Sequence, residues 1–238
     1  MTNSSRVVAL MGSLGLALSG CGDSGTDGNG DRIDESREVA AFSRVRSDCQ
    51  LDVRLVRGNV QSLTISLDSN LQELVRTRVD GDTLYVETTD NVDDTVDGPH
   101  VLITVPELTA AKLAGSGSMT IAFDEPELPL DLYVTGSGDL SFNGTTAAVG
   151  AYLSGSGDLR LEGETRDLDI KLSGSGSVRG QKLVASSASI DLDGSGSVSA
   201  NVQESVTVSL SGSGSVDLFG DATLDTYQHT GSGDIVQH

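Results

Sequence analysis

Tryptophan is absent from the 238 residues, and phenylalanine and tyrosine occur only four times each. A core must therefore be filled by Leu, Val, Ile and Ala, which suits thin, regularly stacked layers better than a bulky globule. Positive charge is also scarce: 15 Lys and Arg stand against 35 Asp and Glu, a formal net charge of −20. Such a surface repels phosphate backbones and anionic lipid, which argues against nucleic acid as a partner and leaves cations and neutral glycans. The only histidines are His100, His229 and His238, so a serine nucleophile has few bases to draw on. No apolar run reaches the ~20 residues that a membrane-spanning helix needs.

What the chain does have begins at its N-terminus. Arg6 precedes an apolar run from Val7 to Leu18, and small residues lead to Cys21, so residues 1–20 have the parts of a secretory signal peptide. Leu18-Ser19-Gly20-Cys21 resembles the lipobox of bacterial lipoprotein precursors, in which the cysteine receives a diacylglyceryl group before cleavage in front of it. By that resemblance Cys21 is the lipidated first residue of the mature chain, and the membrane is a partner through the N-terminal lipid. Two or three acyl chains bind a bilayer far more firmly than one, at ~0.8 kcal/mol per buried CH₂. Residue 22 is Gly and not the Asp that retains many such lipoproteins in the inner membrane, so the resemblance implies the outer membrane. Whether the protein faces the periplasm or the surface is not encoded here. With Cys21 committed to lipid, Cys49 has no disulfide partner and reads as a buried free thiol.

Residues 21–38 are rich in Gly, Asp and Ser without an apolar period and read as a flexible acidic tether. Residues 39–110 form a β-rich region: Leu51, Val53 and Leu55, then Leu63, Ile65 and Leu67, then Val101, Ile103 and Val105 alternate with polar residues. Asn70 to Val75 reads as a helical turn capped by Asp68 or Ser69. Asp80-Gly81-Asp82 reads as a tight turn.

Residues 111–238 are a repeat array. GSG begins at Gly115, Gly136, Gly155, Gly174, Gly194, Gly212 and Gly231, spaced 21, 19, 19, 20, 18 and 19 residues apart. Leu153, Gly155, Gly157, Leu159 and Leu161 form an inward set, and Ser154, Ser156, Asp158 and Arg160 an outward one. A second apolar set completes each coil: Val149, Ala151 and Leu153; Leu168, Ile170 and Leu172; Ala188, Ile190 and Leu192; Val206, Val208 and Leu210. Asn143-Gly144 and Glu162-Gly163 read as turns between strands. A unit of about 19 residues cannot bury its own face but stacked copies can, the logic of a β-solenoid. The expected fold is all-β: a single-stranded parallel β-helix behind an N-terminal β-rich capping region. Right-handed coils are favoured because parallel crossovers have that hand, with a left-handed triangular coil as the alternative. Seven coils at ~4.8 Å per layer make a rod of ~34 Å.

The lipobox, AFSRVRSDCQLDVRLVRG, DGDTLYVET, the VPELTAAKLAGSGSM junction and the later GSGS and GSGD units together resemble the family of auto-transporter adhesin head GIN domain proteins. The resemblance covers residues 38 to 238. It implies a β-solenoid fold and a place in the bacterial cell envelope, with adhesion as the function inferred for such architectures. Cys49 stands where the pattern expects a small residue such as Gly.

The aspartates of the GSGD units, Asp139, Asp158 and Asp234, suggest calcium, but the spacing does not match nonapeptide calcium repeats. Solvated turn residues are the better account, with a weakly shared cation between Asp139 and Asp158 as the alternative. The glycines are no phosphate cradle, since strands and not helices follow them. Ser116, Ser137, Ser156, Ser175, Ser195, Ser213 and Ser232 form a hydroxyl file that would suit a glycan or merely solubilise the rod. Asp169, Lys171, Asp191 and Asp193 offer groups for a polysaccharide-acting enzyme, yet a chain with 35 carboxylates yields such sets by chance. In the last coil Asp225, Tyr227 and His229 align with Val206, Val208 and Leu210. They read either as polar capping of the final layer or as a small site at the rod tip.

No catalytic, cofactor or metal residues are assigned. The expectation is a non-enzymatic, lipid-anchored adhesin that meets a glycan or a cell-surface protein. The alternatives are a periplasmic scaffold or sensor-associated lipoprotein and a β-helix enzyme acting on polysaccharide.

Overall fold

Leu153, Leu172, Leu192 and Leu210 stack in register on successive parallel strands, and all four are buried. Ala151, Ile170, Ile190 and Val208 form the column beside them. Leu140, Leu159, Val178, Val198 and Val216 line the opposing wall. Each full burial of a Leu or Val side chain contributes ~1.5–3 kcal/mol, and no single coil could bury these residues alone. The computed structural model, which describes residues 25–93 and 100–238, is thus a parallel β-solenoid of about seven turns.

The two glycines of each GSG do different work. The second is buried in every coil and faces inward as expected. A Cβ on Gly176 would lie 2.8 Å from Leu153 Cδ2, and one on Gly214 2.8 Å from Leu192 Cδ2. The first glycine is only partly buried and forms the corner, a departure from the inward position expected for Gly155. Gly194 has φ +136°, and the Gly174 carbonyl lies where its Cβ would be. That carbonyl accepts two amides of the next coil, Ser195 N at 3.0 Å and Gly196 N at 3.1 Å. A side chain would thus break both the backbone geometry and the contact between layers.

Asn143-Gly144 and Glu162-Gly163 do not interrupt the ladder. They stack on one another at a second corner, Asn143 on Glu162 and Gly144 on Gly163. Beyond it Thr146, Thr165, Ala185 and Val202 make a short third wall, all buried. Uneven coil lengths are absorbed there, as register shifts between Gly180 and Val184 and between Ala185 and Ser187.

The N-terminal region continues the same stack. Ala110–Leu113 pairs with Asp131 to Val134 on one side and with Arg44–Ser47 on the other. Arg44–Ser47 and Val53–Arg57 pair in turn with Thr83–Thr88 and Val101–Val105. Antiparallel strands then close this end: Val75–Asp80 on Thr83–Thr88, and Ser62–Asp68 on Val101–Val105. Among the described residues, seventeen strands form one sheet over one core, with Thr26–Asp27 and Val92–Asp93 as a separate pair, and that sheet runs on across residues 110 and 111.

Two expectations are corrected here, and that for Cys49 holds. Arg32–Ser36, placed in the flexible tether, pairs antiparallel with Ser62–Asp68; Ile33 lies opposite Leu67, giving this acidic segment a sheet edge to bind. The helical turn is a 3-10 helix, Gln72–Leu74, after Leu71, and no side chain caps it. Asp68 is instead buried and accepts the Gly30 amide at 2.8 Å. Cys49 and Leu51 hold the places that Gly115 and Gly117 take one layer on, and the Cys49 carbonyl accepts Gly117 N at 3.4 Å. Cys49 is a buried free thiol, pushed up in pKa by that burial, with Ser47 Oγ 3.3 Å away.

Candidate binding face

Strand alternation sends every second residue of the first wall outward, and the common register stacks these residues into files. One file carries three of the four tyrosines and is framed by cations. Arg78 pairs with Tyr85, Tyr85 with Arg46, Arg46 with Lys112, Lys112 with Tyr133, Tyr133 with Tyr152, and Tyr152 with Lys171. Tyr133 and Tyr152 stack at 4.8 Å between ring centroids with planes 19° apart. The Lys171 ammonium lies 5.5 Å over the Tyr152 ring, and the Arg78 guanidinium 3.9 Å over Tyr85. Such pairs contribute ~0.5–1.5 kcal/mol beyond area burial for the rings and ~0.5–1 kcal/mol for an exposed cation–π contact.

Gly150 gives Tyr152 its position. A Cβ there would lie 2.7 Å from Tyr152 Cε2 and 2.9 Å from its Oη, so the glycine leaves the ring room to lie against the sheet. The Tyr152 hydroxyl donates to Asp169 Oδ2 at 3.2 Å. Burial, followed by the charges of Asp169 and Asp131, pushes its pKa up to about 12. Tyr133 donates to Asp131 at 3.3 Å and is raised for the same reasons.

Tyr152 is the ridge between two shallow grooves that run along the rod. On one side is a cavity of about 370 Å³ between Tyr133, Tyr152, Lys171 and Asp191 on one wall and Thr135, Ser154, Ser173 and Asp193 on the other. On the far side is one of about 450 Å³, bounded by Asp131, Asp169, Ser187 and Ser189 and floored by Gly150.

Asp169, Lys171, Asp191 and Asp193, considered above as enzyme groups, all lie on this face. Lys171 is 3.3 Å from Asp169. Asp191 stacks on Lys171, and Asp193 stacks on Ser173. They are spread over an open wall and do not converge in a cleft. The tyrosines that join them were not singled out from the sequence, although both lie in the same place of consecutive coils.

The corner serines are exposed as a file, but along a bend between strands and not on a flat wall. Between Asp139 and Asp158, where a shared cation is the alternative to solvated turn residues, stands a side chain: Arg160 lies 3.5 Å from Asp139 and 3.1 Å from Asp158, and Arg179 is 2.7 Å from Asp158. Asp139 also accepts the Asp158 amide at 3.2 Å, just as Asp52 accepts Ser118 N at 3.2 Å one turn from the cap.

At the tip, Tyr227 and His229 do align with Val208 and Leu210, and the Tyr227 hydroxyl is 3.0 Å from His229 Nδ1. Asp225 does not align with Val206. A bulge places Leu224 there and leaves Asp225 unpaired in the ladder, so the three residues do not share one inward file. All three are exposed. The proposed lipidation residue, Cys21, lies outside the described residues.

Among solved structures, the chain is similar to a putative adhesin of Bacteroides fragilis, with a TM-score of 0.81 at 21% identity over 90% of this chain and 100% of that one. It is also similar to a putative lipid binding protein of Parabacteroides distasonis, with a TM-score of 0.69 at 19% identity over 90% and 99%. A third, a putative adhesin of Parabacteroides merdae, has a TM-score of 0.62 at 17% identity over 90% and 98%. At these identities the likeness shows the shared solenoid fold. No curated protein matches the sequence. A family model does match, over residues 41–222, and the chain therefore belongs to the family described as "putative auto-transporter adhesin, head GIN domain".

Proposed function

We propose that the protein is a non-enzymatic adhesin, held to the outer membrane through lipid on Cys21, whose solenoid wall engages a partner outside the cell. The observation that carries this reading is the Tyr133–Tyr152 ridge between two open grooves on a continuously paired sheet. Side chains locked by stacking and by hydrogen bonds to Asp131 and Asp169 offer a pre-ordered surface, which lowers the entropic cost of binding. The carboxylates on this wall serve that surface better than hydrolysis, because a glycosidase needs two of them facing each other across the scissile bond. The capped end carries the N-terminal strands, so a lipid tether there leaves the opposite end and the walls free.

The test has two arms. Cells producing the full chain are compared with cells producing Cys21→Ala for membrane fractionation, protease accessibility and adhesion to a host-cell layer. The reading expects a membrane-bound, protease-accessible protein whose adhesion is lost with Cys21→Ala. A protease-protected protein on intact cells would support the periplasmic scaffold instead. Release of reducing ends from polysaccharide would support the enzyme.

A further inference from the structure

Resting on the adhesin reading, we propose that the Tyr152 wall is a lectin-like site and that its ligand is a neutral glycan chain lying along the rod axis. The grooves lie on the face of the sheet, where the backbone groups are already spent on bonds between coils. An extended peptide therefore has no free strand edge to pair with at this place, and recognition falls to side chains.

Those side chains suit sugar hydroxyls. Thr135, Ser154 and Ser173 give and accept hydrogen bonds along one wall, and Asp193 is an acceptor beyond them. Asp191 faces the same groove and, among the described residues, makes no ion pair within 4 Å, so both carboxylates are open to hydroxyl donors. With Tyr133 stacked on Tyr152 and Lys171 over the Tyr152 ring, the two tyrosines contribute apolar ring edges to the groove lining for the C–H groups of a sugar, as binding sites commonly combine a few placed polar groups with aromatic walls. The strand spacing of ~4.8 Å brings the hydroxyls of Thr135, Ser154 and Ser173 forward coil by coil, a repeat comparable to one pyranose unit of an extended glycan.

Charge selects against the alternatives. The two grooves are lined by Asp131, Asp167, Asp169, Asp191 and Asp193 against Lys171, with Lys112 beside Tyr133 at one end, in a chain of net charge −20, which disfavours sulfated or uronic-acid polymers.

The experiment is binding of the purified full chain, in detergent, to an array of neutral hexose and N-acetylhexosamine oligosaccharides, with a uronic-acid polymer and polylysine as controls. Tyr152→Ala removes the ridge and Asp193→Asn removes one acceptor charge without changing shape, while Ser156→Val alters only the corner. Melting curves report whether each variant is folded. Binding of neutral oligosaccharides longer than a disaccharide is expected, weakened about tenfold, equivalent to ~1.4 kcal/mol, by Tyr152→Ala and by Asp193→Asn but not by Ser156→Val. Binding that the two wall variants leave intact would overturn the site. Binding of polylysine alone, abolished by salt, would overturn the ligand class. Cells that adhere while no neutral glycan binds would overturn this inference and leave the adhesin reading standing; cells that do not adhere would overturn that reading as well.

Discussion

Leu153 of one coil reaches over Gly176 of the next, its Cδ2 only 2.8 Å from where a Cβ would sit. The same relation joins Leu192 to Gly214 and Leu210 to Gly233, and the preceding coil's carbonyl is closer still, Gly157 O 2.2 Å from the Gly176 Cβ position, so a side chain here would meet both backbone and leucine. Gly176→Val should overpack this contact and destabilise by ~1–3 kcal/mol. Ser156→Val, at an exposed corner, should stay within ~0.5 kcal/mol. Thermal melts compare the two, and equal shifts would contradict the assignment of inside and outside.

Gly155 tests the corner rather than the core. Its φ of +147° and the nearby Gly136 carbonyl argue that Gly155→Ala, the smallest added side chain, already lowers the melting temperature. The measurement is the same melt. An unchanged curve would show that the corner relaxes freely.

These contrasts also mark what the sequence conveyed. The aliphatic columns were legible because period two and period nineteen coincide at Leu153, Leu172, Leu192 and Leu210. The separate tasks of the two glycines were not, since both obey the same alternation and only the bend distinguishes them. The Tyr133–Tyr152 stack carried a signal that went unused: outward residues of consecutive coils stand on one another as surely as inward ones. Asp225 was misplaced because the bulge after Leu224 shifts the count by one. Arg32–Ser36 has tether-like composition, and only the free edge of Ser62–Asp68 makes it a strand.

The Asp139–Arg160–Asp158 arrangement predicts indifference to calcium. With a guanidinium already between the carboxylates, millimolar calcium should leave the melting curve of the full chain unchanged. A rise of several degrees that Asp158→Asn abolishes would show a true ion site.

Tyr152 sets a stability limit at high pH. Its pKa is raised to about 12 from an ordinary value of 10, so the folded state holds a proton that the unfolded state gives up. The stabilisation is complete below pH 10 and is lost as pH rises through about 12. Phenolate absorbance should show a late step that Tyr152→Phe removes. Persistence of that step in the variant would assign it elsewhere.

The tip residues predict a change of association state. Val216 and Val208 end their columns under Ile235 and Tyr227, and the outer strands Thr223–Gly231 and Asp234–Gln237 are largely exposed. Tyr227→Val with His229→Leu extends the aliphatic columns to this edge and should promote self-association in sedimentation without unfolding the monomer. A folded variant that stays monomeric at high concentration would contradict the capping role.

The central claim is that the wall, and not the tip, makes contact with the partner. It is tested most directly by adhesion of cells displaying the Tyr133→Ala/Tyr152→Ala protein beside cells displaying Tyr227→Ala/His229→Ala, at matched surface levels. The account predicts that the wall variant loses adhesion and the tip variant keeps it. Retained adhesion in the wall variant, with loss in the tip variant, would contradict it.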